Sequence, residues 1–188
     1  MSDTLESYAI ARDEIWEKDP RYRALLATLK QLNSETDRGV ALVVTSLIDK
    51  LLGDALAAFL INNDSAHALL VGFNAPLGTL STKIAACHAL GIIADDEMRE
   101  CHLLRRVRNA FAHEIEVTFD KGSVKDLCSN LSLPPADQYG AVKWRFIKAA
   151  MLLLMHLVAR PYDVARKRLT FSEWRSRKEK APDIPPVS

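Results

Sequence analysis

The stretch from Val40 to Ile61 limits what this chain can fold into more than any other. It is long enough to cross a bilayer as a helix. Asp49, Lys50 and Asp54 interrupt it, and each such charge costs about 2.5–3.5 kcal/mol at mid-bilayer. The stretch therefore reads as a buried core helix, capped by Asp37 and extending to about Asn62. It is apolar nearly all round, which places it at the centre of a bundle. The apolar run from Ala149 to Ala159 is too short for a span.

The rest of the chain reads as helices packed around that one. Alanine and leucine dominate and glycines number seven, which favours helix. At 188 residues one domain is the default, and the fold class is all-α, a multi-helix bundle with long central helices. A first helix covers residues 4–18 and is broken at Asp19-Pro20. A second, residues 21–33, sets Leu25, Leu26, Leu29 and Leu32 on one face. After Asn62-Asn63-Asp64, a short helical turn fits residues 65–71, and Asn74-Ala75-Pro76-Leu77-Gly78 is a loop. Thr79 or Ser81 starts a helix reaching Leu90, with Gly91 as its C′ residue. Asp95 caps a charged helix ending between His113 and Ile115, with Asp96 and Glu97 in its first turn. Lys121-Gly122 marks a turn and residues 123–130 a short helix. Pro134-Pro135 is a linker, and the last long helix runs over residues 137–159. Pro161 kinks or restarts it, and residues 162–174 continue as helix. The single domain covers residues 1–171. The tail, 172–188, is basic and then proline-rich, and reads as disordered.

Charge and cysteine usage narrow the function. The net charge is +1, so extended contact with duplex DNA, which calls for a basic excess or stripe, is not expected. No helix-turn-helix is recognisable. Cys87, Cys101 and Cys128 are odd in number and form no C-x-x-C pair. They read as reduced, buried thiols of a cytoplasmic protein. The N-terminus, Met-Ser-Asp-Thr-Leu-Glu, is no secretory signal. No metal or cofactor is implied. Cys87, His88, Cys101 and His102 form Cys-His doublets without zinc-finger spacing.

The chemistry concentrates on the charged helix. Leu103, Val107, Ala110 and Phe111 form its apolar stripe, and His102, Arg105, Arg106, Asn109 and His113 crowd the other side. Arg105, Asn109 and His113 follow each other at intervals of four and share a row. Arg108 lies five before His113, about 140° around the helix, within reach of a long guanidinium. A histidine can remove a ribose 2′-hydroxyl proton, and an arginine can hold the phosphorane. Two such sets facing each other in a dimer would make a fuller site for metal-independent RNA cleavage. The plainer alternative has Arg108 and His113 bonded to acids and to the carbonyls at the helix end.

Arg108-Asn109-Ala110-Phe111-Ala112-His113 resembles the R-x4–6-H motif of the HEPN superfamily of helical domains. Pro76-Leu77-Gly78-Thr79-Leu80-Ser81-Thr82-Lys83-Ile84, followed by Ala89-Leu90-Gly91-Ile92-Ile93, resembles the mannitol operon repressor (MtlR) family. The likeness covers roughly residues 36–160. It implies a HEPN-like bundle that commonly dimerises. From the repressor family it implies a transcription-related regulator acting through protein partners. From the HEPN superfamily it implies, as the alternative, a ribonuclease with Arg108 and His113 catalytic and Asn109 assisting. RNA is a partner only on that second reading.

Other residues are candidates for support. Asp49 or Asp54, carboxylates on the most apolar helix, could orient Arg108 or His113. A surface strip, or a structural salt bridge with Lys50, is the alternative. Lys83, one turn into its helix, could line the same cleft, although a solvated lysine is the expected reading. His156, among leucines and methionines, reads as a satisfied core histidine. Trp144, Phe146, Ile147, Met151, Leu154, Met155 and Val158 read as core or dimer interface.

Overall fold

The structure, a computed structural model, describes residues 19–132 and 141–172. Among these it is all-helical, with seven α-helices, one 3-10 turn and no strand. The expected first helix, the Pro134-Pro135 linker and most of the tail lie outside the described residues.

Helix α1 spans Pro20–Gln31 and passes into a 3-10 turn at Leu32–Ser34. Helix α2, Asp37–Phe59, is the central element. It packs against α4 (Leu80–Ala89), α5 (Asp95–His113) and α7 (Val142–Ala165). Helix α3, Asp64–Leu70, and α6, Gly122–Ser129, are short. The reason α2 is central is visible in its buried set. Val40, Ala41, Val44, Ile48, Leu52, Ala55 and Leu56 recur every three or four residues, so one broad stripe is covered by three partners. Each such branched side chain contributes about 1.5–3 kcal/mol when fully buried. Phe111, Phe119 and Phe146 extend the core as an aromatic ladder, with ring centroids 4.9 and 5.1 Å apart. No described helix is long and apolar enough to cross a membrane.

The helix ends refine the sequence reading. Thr36, not Asp37, caps α2, its side chain accepting from the Gly39 amide at 3.1 Å. Asp37 instead pairs with Lys143 of α7 at 3.1 Å. Ala94, not Asp95, is the cap residue of α5; the carboxylate of Glu97 accepts from its amide at 2.9 Å. Asp95 pairs with His88 at 2.7 Å. Thr79 caps α4 reciprocally with Thr82, and Gly91 follows that helix at φ +66°, a conformation that glycine adopts without strain.

The last helix departs most. It begins at Val142, runs through Pro161 and stops at Ala165 rather than continuing toward Trp174. Proline removes one helical hydrogen bond, but packing holds the final turn. Val164 is buried, and the Arg21 guanidinium stacks over the Tyr162 ring at 4.1 Å. The chain then turns back to the end of α2. The Leu169 amide donates to Phe59 O at 2.8 Å and Arg168 to Leu60 O at 2.9 Å. Those bonds satisfy carbonyls that helix α2 leaves open, and they are why the helix does not extend.

Candidate functional site

Helix α5 places Arg105, Arg108 and Asn109 on one side, because residues three and four apart are neighbours on a helix. Helix α2 answers with Thr45, Ser46 and Asp49 at the same spacings. Between them stand Gly78 and the Thr79 cap with the first residues of α4, Leu80 and Ser81. These three walls enclose an open cavity of about 390 Å³. The loop before α4 is held close by a Leu77 amide to Leu69 O bond of 2.8 Å. A Cβ at Gly78 would stand 3.0 Å from Ala75 O, so the tight loop leaves little room for a side chain there.

Asp49, Arg105, Arg108 and Asn109 are thus brought together, and Lys83 joins them from behind. Its Nζ donates to Asp49 Oδ2 at 2.8 Å. Lys83 is only 9% exposed, so the expected solvated lysine is in fact buried. The cause is its position: α4 packs directly on α2, and the Lys83 stem lies along Gly53, where no side chain blocks it. Asp54 is not at this site. Five residues from Asp49, it points elsewhere and pairs with Lys50 at 2.5 Å.

His113 is the last residue of α5; it is exposed and does not line the cavity. Arg108 donates to the neighbouring Asn109 side chain at 3.2 Å, and neither Arg105 nor Arg108 meets a carboxylate within ion-pair distance among the described residues. The carbonyls beyond α5 are taken by Arg38, which donates to Glu114 O at 2.7 Å. Arg105 Nε and Asp49 Oδ1 are both buried without a hydrogen-bond partner in the protein. His102 has its pKa lowered, chiefly by burial and then by the charges of Arg105 and His88.

Several polar anchors escaped the sequence reading. Arg160 grips Glu97 with two hydrogen bonds of 2.6 and 3.1 Å and also donates to Ile92 O. This ties α7 to the start of α5. His156, expected in the core, is exposed beside this pair, 3.9 Å from Glu97 Oε1; Leu152, one turn before it, is exposed too, and the buried Leu154, Leu157 and Val158 face the other side of α7. Trp144 is likewise exposed, whereas Phe146, Ile147, Leu154 and Val158 are buried. Arg145 is buried against the end of α6, donating to Cys128 O at 2.7 Å, Ser129 O at 3.2 Å and Leu131 O at 2.7 Å. No local pattern marks Arg145 or Arg160. Thr45 and Ser46 did carry a signal, as small polar residues on the Asp49 side of an otherwise apolar helix. All three cysteines are free and buried, and burial pushes each thiol up to about 12.

No protein-family model and no curated protein matches the chain. Among solved structures, its fold is similar to that of a chain in the X-ray structure of the MtlR-HPr complex from Escherichia coli. The TM-score is 0.52 at 21% identity, over 72% of this chain and 96% of that one. The likeness is one of fold.

Proposed function

We propose that this protein is a transcription-related regulator that acts through contacts with a protein partner, as a homodimer and without a dedicated DNA-binding element. The observation that carries this reading is the fold, which is similar to that of a chain found in a protein–protein complex, MtlR-HPr. The chain's net charge of +1 supports it by giving no basic surplus for duplex DNA. Phe73, 98% exposed, and Val71, 58% exposed, add apolar surface suited to protein contact.

The experiment is cross-linking of the tagged full chain in its own cells, together with transcript profiles of a deletion strain. One discrete protein partner and altered transcripts from a defined set of genes are expected. A strain with unchanged transcripts and no cross-linked partner would overturn the reading. Light scattering of the pure chain tests the dimer.

The second reading, a metal-independent ribonuclease, is favoured by one observation: Arg108 and Asn109 stand side by side in an open cavity. Against it, His113 does not line that cavity, so one subunit lacks the base and a second copy would have to supply it. Pure protein incubated with mixed RNA in EDTA decides. Cleavage that disappears in both Arg108→Ala and His113→Ala would establish the enzyme.

A further inference from the structure

We infer that the cavity between α2, the first turn of α4 and α5 binds a small phosphate monoester that also carries a hydroxyl group. This goes beyond the regulatory reading and stands whether or not a protein partner is found.

Charge comes first. The other described arginines that are not exposed have built-in acceptors: Arg21 has Asp19, Arg160 has Glu97, and Arg145 has main-chain carbonyls. Arg105 and Arg108 have no carboxylate, although both line one cavity. The Asp49 charge is already answered by Lys83 at 2.8 Å. Two guanidinium charges are left over, which matches a dianion. Guanidinium groups bind phosphate oxygens through paired, directed hydrogen bonds. The start of α4 forms another wall; its Thr82 amide is taken by Thr79 Oγ1, and the Leu80 and Ser81 amides, which have no helical partner, favour an anion. The Ser81 hydroxyl lies on that wall.

Hydrogen bonding sharpens the ligand. Arg105 Nε is a buried donor with no acceptor in the protein, and Asp49 Oδ1 a buried acceptor with no donor. Both belong to residues of this cavity. Buried polar groups are ordinarily satisfied, and exceptions in one place mark a site where something else completes them. Neither atom is open to solvent, so each meets a ligand by a turn of its side chain: a phosphate oxygen then completes Arg105, and a hydroxyl on the same ligand completes Asp49. The ligand is small. The cavity of about 390 Å³ lies at the lower end of the roughly 300–1,000 Å³ found for small-molecule pockets. Its lining contains no aromatic ring, and a single-stranded nucleic acid is usually held by stacking its bases on such rings.

Calorimetric titration of the full chain at low salt and near-neutral pH tests this, with glycerol 3-phosphate, inorganic phosphate, glycerol and a dinucleoside monophosphate as probes. Glycerol 3-phosphate should bind, more tightly than inorganic phosphate, and glycerol should not. Arg105→Lys keeps the charge but loses the Nε donor, and should weaken binding about tenfold. Arg106→Gln, on the exposed side of α5, should leave it unchanged, and thermal melts of both variants show that they fold. Four results overturn the proposal: no heat with either phosphate probe, equal weakening by Arg105→Lys and Arg106→Gln, tighter binding of the phosphodiester, or equal affinity for inorganic phosphate and glycerol 3-phosphate, which removes the hydroxyl contact to Asp49.

Discussion

Exchanging Asp49 for alanine should destabilise the protein more than exchanging Lys83 for methionine, although the two side chains form one ion pair. The asymmetry comes from burial. The Lys83 side chain is 11% exposed and that of Asp49 35%. Without Asp49, the ammonium stays in a dry place where no other described residue accepts from it. Removing the partner of a fully buried charge costs about 3–5 kcal/mol. Water entering by the open Asp49 side lowers this to about 2–3 kcal/mol. Alanine's better helix propensity offsets a few tenths of a kcal/mol. Without Lys83, by contrast, the carboxylate keeps a third of its side chain in water and faces a cavity lined by Arg105 and Arg108. Methionine also fills most of the space of the lysine stem, so the expected cost is about 1 kcal/mol or less. The double variant should be more stable than Asp49→Ala alone, because no buried charge is stranded. Urea unfolding of the three variants, with unchanged m-values, measures this. If Lys83→Met cost as much as Asp49→Ala, or if the two costs simply added, burial of the ammonium would not be the controlling term.

Arg145→Met should cost about 3–4 kcal/mol, since three carbonyls at the end of α6 lose a charged donor; Arg145→Lys should recover less than half, by urea unfolding. The thiols of Cys87, Cys101 and Cys128 are raised from about 9 to about 12 in the fold, so the unfolded chain releases their protons first. Their contribution is fully present below pH 9 and is lost as pH rises from 9 toward 12; unfolding midpoints across that range should fall more steeply for the native chain than for a triple Cys→Ala variant. The same thiols should resist an aromatic disulfide reagent at mildly alkaline pH until denaturant is added.

The sequence determined the class of fold because each signal for it is local. The α2 apolar stretch, the Thr79 start and Gly91 stop of α4, and the acidic first turn of α5 all lie within one or two turns of what they specify. Caps shifted by one residue, Thr36 for Asp37 and Ala94 for Asp95, and each displaced aspartate pairs instead with a basic side chain of another helix, Asp37 with Lys143 and Asp95 with His88. The row of Arg105, Asn109 and His113 was legible as a row, since helix geometry alone sets it. Which of its members share a cavity was not. That depends on where α2 and the first turn of α4 cross α5, and the crossing admits Arg105, Arg108 and Asn109 while leaving His113 one turn outside. Tertiary packing alone buried Lys83 beside Asp49 and exposed His156. A side chain's solvation is set by the helix that comes to lie over it, and the residues nearby in sequence carry no record of that helix.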